Sequence, residues 1–512
     1  MFKQSEHKLI DIGFGTVLVF FAAFIFIPAI YILKGFSGLG ALGDPLVLRA
    51  VFLSFFIGLI VTFVNLIFGV PLAWVLTRSK KKIVRWIDNL VDLSLVMPTA
   101  ALGFSVYLFW GTDMGLSRLL GIEGGLFSKG PFMIMLLHVV FTLPYMIRSV
   151  SAAIMQIDPS YEEASASLGA SPFTFFRAVA LPLFSNGVIN GSVLSFTRSL
   201  SETGATMMVA GAAATAPVLI ISLKNAGKMP EAAGASIILI AAAILILVLA
   251  RLIFGKKVIN LDKIYPSFER KLSGHVRLKN ALIFFFYGLV IFLPTVYIAL
   301  YYLFNFRLMN VNQLFGSILV SFGVAIAVTV INMLFSLPVS YMIARDKFRL
   351  GGILTSLNEA VLLMPTSALG LSIALYWRNF FSSDILILIL AHLCFTFPYL
   401  VKPIAASLQE ISGAQQEAAY SFGASTKQMF FTILLPQIKP AIITGAIMAF
   451  MRSLSETGAT LAVTGKIKTV SILIVDLFKA ERFDEAAIAC VILFSVAIAF
   501  LYILKRNQRV SR

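Results

Sequence analysis

The nonapeptide RSLSETGAT stands twice in this sequence, at 198–206 and at 452–460, each time inside a strongly apolar run. It sets a guanidinium, a carboxylate and several hydroxyls where a bilayer would disfavour them. An isolated charge deep in a membrane costs about 2.5–3.5 kcal/mol, so something must offset it. Arg198 and Glu202, like Arg452 and Glu456, are four apart on a helix face and are expected to pair. Ser201, Ser455, Gly204 and Gly458 permit close helix approach. Taking Pro440 as the inner start of the second copy's span, at about 1.5 Å per residue, Arg452 lies roughly 18 Å and Glu456 roughly 24 Å into a core of about 30 Å. Two roles stay open: an ion pair that staples helices together, or a polar layer that faces the boundary between two halves and lines a path.

Other candidates are also duplicated. Pro98 and Pro365 (in MPT) and Pro144 and Pro398 (in FTxPY) are expected to break or kink helices, which membranes tolerate where the break lines protein or a cavity. His138 and His392 sit on apolar faces and are expected to make buried hydrogen bonds between helices. Asp92 and Glu359 occupy matched positions near the inner ends of their spans, where a helix N-terminal dipole would favour them. Cys394 and Cys490 have neither disulfide nor metal spacing. There is no HExxH, no GxSxG and no GxxxxGK[ST] loop, so neither an embedded enzyme nor ATP hydrolysis by this chain is expected. No cofactor and no metal are expected.

These residues need a membrane scaffold. Of 512 residues, 59% are hydrophobic and only 13% charged, more apolar than a water-soluble domain requires. Mean hydropathy is +0.93. Several runs exceed the ~18 residues needed to cross a bilayer. The net charge of +17 comes from basic stretches at 78–85, 251–279, 345–349 and 505–512, between or after apolar runs. That distribution sets orientation rather than nucleic-acid binding and can attract anionic lipid. The first apolar run lacks an evident cleavage site and reads as a retained helix.

The chain is a tandem duplication. VNLIFGVPLAWVLTRSK (64–80) matches INMLFSLPVSYMIARDK (331–347), and VMPTAALGFSVYLFW (96–110) matches LMPTSALGLSIALYW (363–377), both offset by 267. LLHVVFTLPY (136–145) matches LAHLCFTFPY (390–399) at an offset of 254, which holds through RSLSETGAT. The first half therefore carries 13 extra residues between Trp110 and His138, expected in a loop. The fold class expected is all-α and polytopic, two tandem parallel repeats of about six spans each. The spans fall near 13–35, 51–77, 87–110, 131–154, 184–211 and 233–254, then 281–303, 317–343, 354–377, 384–408, 438–463 and 485–504. Residues 1–255 form the first repeat, 256–280 a basic cytoplasmic linker and 281–512 the second repeat. Both termini are expected to be cytoplasmic.

After each fourth span comes a loop that reads as helix, turn, helix: DPSYEEASASLGASPFTFFRAVALPL (158–183) and SGAQQEAAYSFGASTKQMFFTILLPQ (412–437). Asp158 is expected to cap the first helix with Pro159 at its first position. Ser412 and Gln415 have capping-box spacing. Gly169 and Gly423 are expected to end that helix in the left-handed conformation. Ser171 with Pro172, and Ser425, restart a second helix, which Pro182 and Pro436 are expected to close.

The loop pattern E-A-A-x3-G-x9-I-x-L-P resembles the inner-membrane permeases of binding-protein-dependent ABC importers. Glu417, Ala418, Ala419, Gly423, Ile433, Leu435 and Pro436 match throughout, and Glu163, Ala164, Gly169, Leu181 and Pro182 match in the first copy. Ser165 and Val179 depart from it mildly. The resemblance covers nearly the whole chain. It implies a type I importer transmembrane domain with both halves fused, as in some iron(III), thiamine and phosphonate permeases. An Arg-x-x-x-Glu-x-Gly segment after the coupling loop is also similar to permeases of sulfate, molybdate and tungstate importers, which favours an oxyanion, whereas the fused architecture points to iron(III), thiamine or a phosphonate; both solute classes stay open. The resemblance further implies two cytoplasmic ATP-binding subunits docked on the loops, an extracytoplasmic solute-binding protein, and location in a bacterial or archaeal cytoplasmic membrane. Arg198, Ser201, Glu202, Arg452, Ser455, Glu456, Pro98 and Pro365 are the candidates for path or gate. A secondary transporter with two six-span halves is the rival, but it leaves the paired loops unexplained.

Overall fold

The computed structural model describes residues 27–35, 43–254, 265–304, 311–345 and 351–510, with positions 15, 19, 23 and 24 ahead of them. Among the described residues every regular element is a helix, as expected where lipid offers the backbone no hydrogen-bond partner. Nine of these helices are long and apolar enough to cross a membrane, eleven if each of two bent pairs counts as one span. The first expected span, 13–35, lies partly outside the described residues, as do residues 255–264, 346–349 and 511–512 of the basic stretches.

The helices form two compact units. Counting described residues only, one holds parts of 1–43, 219–237 and 307–512, the other 44–218 and 238–306. Each unit is built on the same triad. In one, Pro45–Arg78, Pro131–Ile154 and Leu181–Ser201 pack on one another. In the other the triad is Val311–Arg345, Asp384–Glu410 and Leu435–Leu454. A buried amide bond ties the first two helices of each triad. Asn65 Nδ2 donates to Thr142 Oγ1 at 2.7 Å, and Asn332 Nδ2 to Thr396 Oγ1 at 2.8 Å.

The units do not follow the repeat boundary expected near 256–280. Helix Ile27–Tyr31, from the start of the chain, packs on Thr366–Trp377 of the second repeat. Phe24 stacks on Trp377 with ring centroids 5.4 Å apart. Conversely Leu293–Phe304, within the span expected at 281–303, packs on Thr99–Gly111. There Tyr287 and Ile291 are buried, and Ile298 N donates to Ser105 Oγ at 3.1 Å.

Proline acts differently at different places. At Pro98 and Pro365 the helices do break: Lys82–Leu95 and Thr99–Leu120 meet at 113°, and Leu354–Leu362 and Thr366–Trp377 at 106°. Met97 is extended there (φ −65°, ψ 134°), the conformation a following proline imposes. Pro144 and Pro398 break nothing; both lie inside continuous helices. Pro182 and Pro436 likewise fail to close the loop's second helix, which runs on into the fifth span as one stretch, Pro172–Ser201 in the first half. The reason is a π turn just before each, Phe176–Ala180 and Phe430–Leu434. The wider turn relieves the clash between the proline ring and the carbonyl four residues back. Pro440 also sits inside the helix Leu435–Leu454 rather than at the start of a span.

The fifth spans are not continuous over 184–211 and 438–463. They end at Ser201 and Leu454 and restart as Gly204–Val209 and Gly458–Val463. Two short apolar helices follow that the sequence reading left out, Ala216–Asn225 and Val470–Lys479. Serines from the second spans receive their first amides: Ser54 Oγ accepts from Ala216 N and Ser321 Oγ from Val470 N, both at 2.8 Å. The 13-residue insertion is loop with one short helix, Leu116–Leu120.

Candidate functional site

The repeated nonapeptide forms the break in each fifth span. Glu202 is the first residue past the helix, with extended backbone (φ −75°, ψ 130°). Its carboxylate faces both ways: Oε2 lies 3.1 Å from Arg198 Nη2 on the ending helix, and Oε1 accepts from Ala205 N of the restarting helix at 3.2 Å. The second copy repeats this. Glu456 Oε2 is 2.5 Å from Arg452 Nη1, and Oε1 accepts from Ala459 N at 2.9 Å. The expected ion pairs therefore form, but across a helix break rather than along a continuous face. Both glutamates are buried. A carboxylate at this place satisfies amides that the break would orphan and offsets its own burial.

The duplicated FTxPY segment supplies the second arm of each clamp, together with the histidine just ahead of it. His138 bridges the break with Nδ1 2.8 Å from Ser199 Oγ and Nε2 2.9 Å from Thr206 Oγ1. His392 does the same with Ser453 at 2.8 Å and Thr460 at 3.0 Å. One imidazole thus holds both helix segments in register, which fulfils the expected buried hydrogen bonds. Three residues on, Phe141 and Phe395 lie under the guanidinium carbons of Arg198 and Arg452, 5.5 and 5.1 Å from the ring centroids, close enough for cation–π attraction. Ser201 and Ser455 hydroxyls turn back to the carbonyls of Arg198 and Arg452.

The two kinds of break pack together within each unit. Gly204–Val209 lies on Thr99–Gly111, and Gly458–Val463 on Thr366–Trp377. The approach demands glycine. A Cβ on Gly103 would come within 2.8 Å of Ala205 Cα, and one on Gly370 within 2.7 Å of Ala459 Cα. Both glycines belong to the duplicated MPTxALG motif, whose role beyond the proline was not read from sequence.

Asp92 and Glu359 do not serve helix N-termini, since each lies in the C-terminal half of its helix, Lys82–Val96 and Gly351–Leu363. They pair instead with cations on the fourth spans: Asp92 Oδ1 with Arg148 Nη2 at 2.6 Å, Glu359 Oε1 with Lys402 Nζ at 3.7 Å. Arg148 and Lys402 are themselves matched at the 254 offset, a signal the sequence contained. Cys394 and Cys490 are buried thiols.

Each loop has the expected helix–glycine–helix form. Asp158 Oδ1 accepts from Ser160 N at 2.8 Å, which starts the helix Ser160–Ser167. Gly169 and Gly423 both have φ of +83°, where a side chain is strained. Ser171 caps the second helix by accepting from Thr174 N at 3.2 Å. The capping box does not form at Ser412, whose side chain makes no cap bond; Gln428 instead accepts from Ser425 N at 2.9 Å. Glu163, Ala164, Glu417 and Ala418 face solvent, whereas Ala419 is buried. The residue before each glycine is a large apolar side chain left almost bare, Leu168 at 89% and Phe422 at 91% exposure.

The first loop is also gripped by the linker. Glu269, on Pro266–Gly274, is buried and accepts from Thr174 Oγ1 at 2.6 Å and Arg177 Nη2 at 2.8 Å. The Thr174 bond, with the Tyr265 amide and Arg177, holds its carboxyl below the usual range.

Residues 65–256 and 336–509 each match the family described as binding-protein-dependent transport system inner membrane component. The molybdate/tungstate transport system permease protein of Methanocaldococcus jannaschii is 30% identical over 211 residues, 41% of this chain and 83% of that protein. The sulfate transport system permease protein of Salmonella typhimurium is 28% identical over 302 residues, 54% of this chain and all of that protein. The molybdenum transport system permease protein of Mycobacterium bovis is 37% identical over 150 residues, 29% of this chain and 57% of that protein.

Proposed function

The chain belongs to the family of binding-protein-dependent transport system inner membrane components, matched once in each half, and from that premise we propose that it is the fused membrane subunit of an ATP-driven oxyanion importer. It is a multi-pass permease; the finer reading concerns its partners, coupling and solute. Two ATP-binding subunits dock on the loops at 158–183 and 412–437, and an external binding protein delivers the solute. The observation that carries this reading is the pair of loops, each with a left-handed glycine and an exposed Leu168 or Phe422 beside an exposed glutamate. Glu163, Ala164, Gly169, Leu181 and Pro182 in one copy, and Glu417, Ala418, Ala419, Gly423, Leu435 and Pro436 in the other, couple ATP hydrolysis in the partners to the spans.

The coupling route is short. Each loop's second helix continues without interruption into the fifth span, so a push on the loop reaches the clamp through one rigid helix. The clamps at Arg198–Glu202 and Arg452–Glu456 hold the broken ends that respond, with Ser201, Ser455, Pro98 and Pro365 shaping the path there. Each clamp sets one carboxylate against one guanidinium, so it offers an oxyanion no surplus positive charge. Solute choice therefore rests with the binding protein, and the oxyanion class follows from the sulfate, molybdate and tungstate relatives. The chain itself performs no covalent chemistry.

The test is reconstitution of the chain with its ATPase subunits and binding protein in proteoliposomes. Uptake of labelled molybdate or sulfate is expected only with ATP and binding protein together. Uptake that proceeds without ATP, driven by an ion gradient, would replace this reading with the secondary transporter. Uptake of thiamine, a phosphonate or iron(III) but of no oxyanion would overturn the solute class.

The same reading puts both termini, the linker and both loops in the cytoplasm. Single cysteines at Ser171, Ser425 and Lys81 are then expected to be shielded from an impermeant thiol reagent in intact cells, while one at Glu123, in the insertion loop, is labelled. Labelling of Ser171 and Ser425 from outside would reverse the orientation.

A further inference from the structure

A cavity of about 630 Å³ opens beside the first loop, walled by the end of Pro45–Arg78, the start of the loop's second helix, and the linker side of Val276–Phe286. All of its walls belong to one unit. Its volume is that of a small-molecule site. Its chemistry is divided. Arg78, Lys81 and Lys279 line it, and no aspartate or glutamate does. Trp74, Phe176 and Phe284 make an apolar flank.

Two polar atoms at this cavity lack partners. Arg78 holds its guanidinium over Trp74, 5.4 Å from the ring centroid, and commits one Nη to Ile157 O at 3.4 Å. Its Nε is buried with no hydrogen-bond partner among the described residues, and the same is true of Asn280 Oδ1. A buried N–H of a guanidinium without an acceptor is costly. The three cations ask for an anion, with apolar substance along the aromatic flank.

We propose that this cavity binds the headgroup of an anionic glycerophospholipid. Arg78, Lys81 and Lys279 hold the phosphate and an acyl chain runs along Trp74, Phe176 and Phe284. The location fits: Arg78 ends a span, where the phosphate plane of a bilayer lies, and basic pockets at that level attract anionic headgroups. A free phosphate offers the same anion but leaves the aromatic flank unfilled. A lipid seated here touches Phe173 and Ser273, and Ser273 already bonds Ser171 Oγ at 3.2 Å. It therefore braces the first loop against the linker, a contact independent of which solute the chain carries.

The experiment is native mass spectrometry of the full chain, titrated with phosphatidylglycerol, with phosphatidylcholine of the same acyl chains, and with phosphatidylglycerol against inorganic phosphate. One tight phosphatidylglycerol adduct is expected, with phosphatidylcholine at least tenfold weaker. Lys81→Gln with Lys279→Gln, both at exposed positions, should weaken the adduct by about 25-fold, about fivefold for each cation removed. Equal binding of the two lipids, or equal binding by native and double-variant chains, overturns the proposal. Displacement of the lipid by millimolar inorganic phosphate overturns the lipid and assigns the site to the free ion. Should the double variant fail to fold, the ratio of the two lipids on the native chain decides alone.

Discussion

Glu417→Arg and Gly423→Val are each expected to lower transport by more than tenfold while the protein stays in the membrane at normal abundance. Glu417 is exposed on Gly413–Ser421, and the Ser421 hydroxyl, at 2.8 Å, donates to its backbone carbonyl rather than to its carboxylate. Reversing its charge therefore removes no buried contact, so a loss of transport must arise where a partner docks. At Gly423 an added Cβ would meet nothing within 4 Å, but φ is +83°. A β-branched side chain there costs roughly 1–3 kcal/mol of backbone strain, confined to the turn. The readout is solute uptake and solute-stimulated ATP hydrolysis per inserted chain. Full activity in both variants would remove the loops from the coupling route. Glu163→Arg should behave alike, whereas Gly169→Val should be milder, because the linker's Glu269 already fixes the first loop through Thr174 and Arg177.

The second large effect belongs to the clamp. Arg452→Met alone leaves Glu456 buried without its cation, and Glu456→Gln alone leaves Arg452 without its anion. Each should cost about 3–5 kcal/mol and cut abundance sharply. The two together should restore abundance, since glutamine keeps an oxygen for Ala459 N and the pair then carries no charge. A clamp that also works in the path predicts that the double variant, though well folded, transports at least tenfold less per chain or hydrolyses ATP without solute. Near-normal transport by the double variant, and by Arg198→Met with Glu202→Gln, would leave the clamp only a structural part.

The spans were legible because lipid demands long apolar helices, and the duplication located them twice. The ion pairs were legible from spacing, yet the geometry that makes them was not. Nothing local in SETG distinguishes a helix that continues from one that stops at Ser201 and restarts at Gly204. The broken ends are held from outside the segment, by His138 on a neighbouring helix, which bonds Ser199 and Thr206 on either side of the break. The prolines were harder still. Pro98 bends its chain by 113° while Pro182 is absorbed by a π turn, and both read simply as proline in an apolar run. Asp92 and Glu359 were misassigned because their cations arrive from another helix. In the loops, Gly169 and Gly423 were readable from residue type, since few other residues accept that φ. The bare Leu168 and Phe422 were not, because exposure of an apolar residue is invisible without a fold.

The packing of Ile27–Tyr31 on a helix far along the chain sets an order of events at the ribosome. Ile27–Tyr31 finds its packing face on Thr366–Trp377, 339 positions later in the chain. At about 5–20 residues per second, that face emerges roughly 17–70 s after the helix that needs it. The newborn helix passes that interval among lipids, which its apolar surface allows. Leu293–Phe304 meets no such delay, for its face on Thr99–Gly111 is already made. One unit can therefore close before residues 307–512 are made, and the other only after them.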